Sequence, residues 1–207
     1  MISLIPVIIV LVTSLNLTPT YAQIPPLKIV KTARTPNGFL APPMGWNSFG
    51  LQANPAVNPS FTFNQTHVIE QTDALATLIS QNKVNSTSDY YISLDSGWSI
   101  GDHGDGSGRI TYDPDRFDIP ILAKYLHSKG LKLGIYVLPG SFVKDGNKII
   151  FGTERDGRGI LIKDTWSGNN NGFARNDFDF TKKGVQEWHD EVVALFAEWY
   201  VFAVWKH

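Results

Sequence analysis

Three short stretches put aromatic, hydroxyl and carboxylate side chains where a β-strand gives out. "MGWNS" supplies Trp46, Asn47 and Ser48, "YYISLDSGW" supplies Asp95, Ser96 and Trp98, and "LKLGIYVLPG" supplies Tyr136. Residues of these types suit a sugar. The apolar C–H face of a pyranose stacks on an aromatic ring, while its hydroxyls donate to a carboxylate in charge-assisted hydrogen bonds. Each residue alone has a plainer explanation. A tryptophan at a strand end is more often core, and an aspartate before Ser-Gly is often a turn former whose carboxylate bonds the backbone that follows. Tyr136 alone is a β-former. The coincidence at three strand ends carries the reading.

Other chemistries find less support. The loop from Gly101 to Arg109 spaces Asp102 and Asp105 faintly like a calcium loop, but lacks the regular ligand ladder and a terminal glutamate. The five histidines show no paired metal spacing, and His189 on the last helix is expected to be a solvated surface residue. "GDGSG" opens no helix in the register that phosphate binding needs. No metal and no cofactor is therefore expected. With 18 basic and 19 acidic residues and a net charge of -1, the chain has no basic surplus for nucleic acid or an anionic membrane.

The elements that must position these residues alternate in type. Met44 to Phe49 reads as a short strand end. Thr66 to Gln81 carries Val68, Leu75, Leu78 and Ile79 at helical spacing, with Thr66 as a candidate N-cap. "YYISLDSGW" is a buried strand halted at Ser96-Gly97, and a helix near Ile119 to Lys129 ends on Gly130. "LKLGIYVLPG" is the next strand, and a long irregular stretch follows. Val185 to Trp199 then puts Val185, Trp188, Val192, Leu195, Phe196 and Trp199 on one helical face, and "VFAVW" reads as a last strand. Near-continuously apolar strands alternating with helices imply parallel β/α units with both sheet faces covered. A (β/α)8 TIM barrel needs roughly 250 residues, so the expectation is a partial barrel of about its first four β/α units.

The N-terminus differs from the rest. "MISLIPVIIVLVTSLNLTPTYA" has no charged side chain, an apolar run from Ile5 to Val12, and small residues up to Ala22. It reads as a secretory signal peptide over 1–22, the run being short for a bilayer core of about 30 Å. Residues 23–39 are a proline-rich and polar lead-in, and no further span is evident, so a secreted protein is expected. There is no cysteine to form a disulfide. Asn64-Gln65-Thr66 and Asn85-Ser86-Thr87 are sequons that could accept glycans in a eukaryotic secretory route.

Together, "PPMGWNSF", "YYISLDSGW", "LHSKGLKLGIY" and "FAEW" with an apolar strand ending in lysine resemble the alpha-galactosidase (melibiase) family of retaining glycoside hydrolases. The resemblance covers about Leu40 to the last residue. It implies a catalytic (β/α)8 barrel followed by a smaller β domain. The implied activity is cleavage of terminal alpha-galactosyl residues, or alpha-N-acetylgalactosaminyl residues in relatives, without metal or organic cofactor. Carried over, Trp46 matches the tryptophan that packs against the sugar, and Asp95 the first of two adjacent acids that grip its hydroxyls. Ser96 stands where the second acid usually is, Gly97 replaces a residue that is often a disulfide cysteine, and Tyr136 matches the tyrosine of the third strand.

The family's fourth strand reads approximately W-G-V-D-x-x-K-x-D, with the final Asp as nucleophile, whereas this chain reads "WYVFAVWKH". Tyr200 and Phe202 replace the Gly and Asp. Without a gap His207 falls on the nucleophile; with a one-residue insertion Lys206 takes the lysine role and the nucleophile lies just past His207. The resemblance thus implies substrate-binding residues Trp46, Asp95, Ser96, Tyr136 and Lys206, with no catalytic carboxylate intact. A truncated barrel over 40–207, inactive as written, is the expectation. The alternatives are a catalytically dead galactose-binding fragment, which could self-associate through exposed barrel edges, or a related barrel hydrolase acting on another alpha-linked sugar.

Overall fold

The computed structural model describes residues 44–52, 58–81, 90–137, 140–154, 156–166, 175–201 and 203–206. The expected signal peptide, the lead-in, the sequon at Asn85, Phe202 and His207 lie outside the described residues. Among those described, no helix is long and apolar enough to cross a membrane.

Four parallel strands make the main sheet in chain order: β1 (Met44–Asn47), β2 (Tyr90–Leu94), β3 (Lys132–Val137) and β7 (Ala203–Lys206). Parallel neighbours require a crossover between them. α2 (Gln65–Gln81) joins β1 to β2, α3 (Ile119–Ser128) joins β2 to β3, and α4 (Val185–Glu198) precedes β7. A four-residue helix, α1 (Phe49–Gln52), follows β1 directly. Ile92 and Leu94 on β2, and Leu133 and Ile135 on β3, are fully buried, in keeping with near-continuously apolar strands covered on both faces. This α/β arrangement is consistent with part of a barrel.

Local chemistry fixes each element. Gly45, at φ +152°, lets β1 approach β2: a Cβ there would sit 1.9 Å from the Tyr91 carbonyl oxygen. Asp118 caps α3, its Oδ1 accepting from Ile121 N at 3.0 Å. That helix ends at Gly130, φ 75°, with Leu131 N donating to Leu126 O. It buries Ile119, Leu122, Ala123 and Leu126. Two expectations for α2 are corrected. Its cap is Asn64, whose Oδ1 accepts from His67 N at 3.3 Å, with Thr66 inside the first turn. Leu78, assigned to the apolar face, is exposed, while Thr72 is buried and satisfied by donating to Val68 O. α2 and α3 are tied where Tyr125 Oη donates to Asp73 Oδ1 at 2.6 Å, with Lys129 Nζ 3.1 Å from the same oxygen.

The stretch expected to be irregular between β3 and α4 contains a second sheet. β4 (Ser141–Phe142), β5 (Leu161–Trp166) and β6 (Arg175–Phe178) pair antiparallel in the order β4-β6-β5. Phe142, Ile150, Ile160 and Phe178 from this insert join the hydrophobic cluster that also holds β2 and β3. His189 is also corrected. It is not a solvated residue but half-buried, its ring 4.9 Å from Phe178, 5.6 Å from Phe180 and 5.1 Å from Trp188. Its Nδ1 lies 2.7 Å from Val185 O.

α4 buries Val185, Trp188, Val192, Leu195 and Phe196, and starts at Gly184, whose N–H donates to Glu187 Oε2 at 2.9 Å. It ends in a Schellman motif: Val201 N donates to Phe196 O and Tyr200 N to Ala197 O, both at 3.0 Å. Tyr200 occupies the left-handed position of that motif at φ 60°, where an L side chain is strained and glycine is not. Its ring meets His127 edge-on at 6.2 Å. Replacing Tyr200 by glycine removes a left-handed cost of roughly 1–2 kcal/mol per residue and adds an unfolded-state entropy cost of roughly 0.4–1 kcal/mol. Tyr200→Gly is therefore expected to raise the denaturant midpoint, and an unchanged or lower midpoint would show that the His127 contact outweighs the strain.

Candidate functional site

The parallel register decides which strand ends stand level. Ser93 pairs with Gly134 and Asn47, and Gly134 with Ala203. Leu94 pairs with Ile135, so Asp95, the next residue, runs level with Tyr136, which itself pairs with Trp205. Asp95 and Tyr136 thus share a row on adjacent strands. Lys206 pairs with Val137 one residue further along β7. Trp46 sits lower, opposite Ile92, half-buried and packed against the core.

The turn after β2 is locked from both flanks. Ser48, fully buried just after β1, accepts at its Oγ from Asp95 N at 2.8 Å and from Gln52 Nε2 at 3.2 Å. Ser48 N donates to Ser93 O, so the serine joins β1 to β2 through backbone and side chain together. On the other flank, Trp98 Nε1 donates to Tyr136 O at 2.8 Å, and its ring meets Phe196 edge-on at 6.1 Å. Tyr136 is buried at 7% exposure and Trp98 at 1%, so this hydrogen bond is shielded from water and fastens the loop to β3.

Asp95 does two things. Its Oδ1 accepts from Ser96 N at 2.7 Å, which is the turn-forming role. Among the described residues its Oδ2 has no hydrogen-bond donor, and the side chain is only half-buried, so this oxygen is placed to accept from a ligand. Ser96, beside it and also half-buried, offers a hydroxyl where a second acid would offer a full charge. Asp95 is the one carboxylate that directly follows a strand of this sheet among the described residues.

The acidic loop beyond Trp98 is held by its own cations and amides. Asp105 Oδ1 accepts from Ser107 N and Arg109 N, and Oδ2 pairs with Arg109 Nε at 2.8 Å. Asp102 bonds Lys144 Nζ and lies 2.5 Å from His103 Nδ1. The Lys144 hydrogen bond, then the His103 one, holds the Asp102 carboxyl below its ordinary value. Deeper, buried Asp145 accepts from Gly104 N at 2.6 Å and pairs with Lys148 Nζ at 2.7 Å. Lys148 also donates to Gly104 O and Asp105 O, so this ion pair clamps the loop to the insert. Sequence reasoning missed Gln52, Asp145 and Lys148. Gln52 and Ser48 are four residues apart and Asp145 and Lys148 three, spacings common enough to mark nothing by themselves, and the Gly104 groups that the ion pair holds lie 41 and 44 residues away.

A four-stranded parallel α/β sheet with a carboxylate and a tyrosine level at its strand ends is consistent with part of a barrel, the architecture whose sites lie at that edge. The family described as alpha galactosidase A (Melibiase_2) matches residues 41–158, and the chain belongs to it. Alpha-galactosidase 3 of Hypocrea jecorina is 42% identical over 183 residues, covering 84% of this chain and 28% of its own length. Human alpha-N-acetylgalactosaminidase is 39% identical over 112 residues, covering 51% of this chain and 26% of its own. The chain thus spans about a quarter to a third of the length of such relatives. In fold it is similar to a GH27 β-L-arabinopyranosidase from Geobacillus stearothermophilus, with TM-score 0.63 and 22% identity, over 80% of this chain and 40% of that one.

Two outcomes test this geometry. Ser48→Ala leaves the Asp95 N–H without its acceptor and is expected to cost about 1–3 kcal/mol of stability. Amide exchange should quicken at Asp95, and Ser48→Thr should restore much of both. For Asp102 the folded-state value lies below 3.8, so its contact with Lys144 is complete above that pH and lost as pH falls through the depressed value. An NMR titration of the Asp102 carboxyl should show a midpoint below 3.8, moving up toward it in Lys144→Ala.

Proposed function

We propose that this protein is a secreted glycoside hydrolase of the alpha-galactosidase type and that the described strand ends are its sugar-gripping part. Asp95 carries the proposal: its Oδ2 lacks a donor among the described residues, it stands level with Tyr136, and Ser48 fixes its backbone. A galactosyl hydroxyl would donate to Asp95, the sugar's apolar face would rest on Trp46 or Tyr136, and Lys206 would extend the row along β7. The names of the similar relatives from Hypocrea jecorina and human support a terminal alpha-galactosyl or alpha-N-acetylgalactosaminyl substrate. The first four β/α units of a (β/α)8 barrel would supply the frame.

Retaining hydrolysis needs two carboxyl groups about 5–5.5 Å apart, one as nucleophile and one as acid then base. At the strand ends of the parallel sheet, Asp95 alone is described, and its family role is grip. These 207 residues are therefore proposed to supply the sugar-binding part of the hydrolase and, taken by themselves, not its turnover.

Ser96 favours a second reading. With a neutral hydroxyl in place of a second carboxylate, one charge-assisted bond to the sugar is weaker, which would suit a different alpha-linked sugar. Competition among galactose, N-acetylgalactosamine and arabinose for the same protein would rank the readings.

Losing the Asp95 charge removes a hydrogen bond worth roughly 1.5–3 kcal/mol. Calorimetry is expected to show Asp95→Asn binding galactose about 10- to 100-fold more weakly than the parent, with an aryl alpha-galactoside left intact by both. Turnover by the parent protein would overturn the non-hydrolytic part. Equal binding by parent and variant would remove Asp95 from the site.

A further inference from the structure

The sequon at the start of α2 has no part in the sugar site, and its geometry gives it another role. We propose that Asn64 is an N-glycan attachment site whose amide does two jobs, capping α2 through one atom and carrying the glycan through the other. The proposal rests on the secretory route inferred above and is independent of the galactoside reading.

Asn64-Gln65-Thr66 meets the requirement for an acceptor, with glutamine rather than proline between. The capping bond uses only Oδ1, which accepts from His67 N at 3.3 Å. Among the described residues Nδ2 has no hydrogen-bond acceptor. Thr66 is exposed and Asn64 half-buried, so the hydroxyl and amide that a transferase must read stand at the surface. The rest of the turn is anchored without them. Gln65 N donates to Arg116 O at 3.0 Å, and Gln65 Oε1 accepts from Asp118 N at 2.8 Å. Phe63, on the other side, is buried at 7% exposure.

The attachment chemistry leaves the cap intact. The donor is an oligosaccharide linked through its anomeric carbon to a lipid diphosphate. The Nδ2–C1 bond forms as the C1–O bond to the diphosphate breaks, and one Nδ2 proton leaves with the departing diphosphate. The amide stays planar and its carbonyl still accepts from His67 N, so a glycan and a helix cap coexist on one side chain. The sugar would also lie near the candidate site. A Cβ on Gly97, in the turn after Asp95, would be 3.9 Å from the ring of neighbouring Phe63.

The test uses the full chain secreted from a eukaryotic host, once with its own N-terminus and once behind a host leader. Peptides are treated with the amidase that converts a glycosylated Asn to Asp on releasing the glycan, and read by mass. Asn64 is expected to appear as Asp in the parent and to remain Asn in Thr66→Ala, which keeps the cap. Asn64→Asp should carry no glycan at this position and should match the thermal midpoint of Thr66→Ala, which is also unglycosylated, because its carboxylate still caps α2. Asn64→Ala, losing the cap, should melt lower than both. Conversion only behind the host leader would support the site while failing the natural leader. An unconverted Asn64 in chain secreted behind the host leader would overturn the proposal.

Discussion

The hydroxyl of Ser48 is the contact on which the sugar-binding reading depends. A parallel ladder stops where its strands stop, and the residues just beyond, which carry the chemistry, lose the ladder's hydrogen bonds. Ser48 Oγ replaces that support by accepting the Asp95 N–H at 2.8 Å from a fully buried position. An unpaired N–H there would cost about 1–3 kcal/mol, so the serine and the backbone of Asp95 move as one body. Gln52 donates to the same oxygen and so turns the short helix α1 into part of the mount. Trp98, bonded to the Tyr136 carbonyl, does the same from β3. The turn that carries Asp95 is thereby held from both adjacent strands, while its side chain keeps one oxygen clear of donors among the described residues.

The distribution of acids follows the same division between holding and gripping. Asp102, Asp105 and Asp145 are each met by a cation, and Asp105 and Asp145 by backbone N–H groups as well. Their charges hold a loop that has many glycines and few apolar side chains to pack. The buried Asp145–Lys148 pair has the largest consequence, because removing either partner strands the other charge at a site where solvation is poor. Asp95 differs in having only the Ser96 amide as partner among the described residues. That contrast, rather than the presence of acids as such, is what supports the proposal of Asp95 as a ligand-binding carboxylate.

Elements with unbroken patterns were legible in the sequence. β2 and β3 are near-continuously apolar because both faces are covered, and the apolar face of α4 coincides with the residues it buries. The second sheet was not, because β4 has two residues and β6 reads "RNDF", giving no alternation to detect. His189 looked solvated because its ring partners Phe178 and Phe180 belong to that unseen insert. Asn64 and Thr66 are both good capping residues two positions apart, and only the observed bond to His67 N decides between them. Of the candidate site, the placement of Asp95 and Tyr136 at neighbouring strand ends was legible from the strand pattern. The mount made by Gln52 was not, because an i,i+4 Ser–Gln spacing is common, and the Asp145 clamp was not, because its contacts to Gly104 span 41 and 44 residues of the folded chain.

Tyr200 shows how far the fold constrains the sequence. The family pattern has glycine at this position, and the chain here adopts φ 60°, the conformation for which glycine is suited, although the residue is tyrosine. A side chain that disfavours the left-handed region would normally end α4 differently. The Schellman bonds from Tyr200 N and Val201 N are nevertheless formed, and β7 still pairs with β3 in register from Gly134–Ala203 to Val137–Lys206. The burial of Leu195, Phe196 and Trp199 against the core sets where the helix must stop. The parallel pairing sets where the next strand must lie, which leaves the intervening residue one conformation whatever its side chain. Strain at Tyr200 is therefore a consequence of packing on either side of it, and the path that brings β7 alongside Tyr136 is determined by the core rather than by the turn.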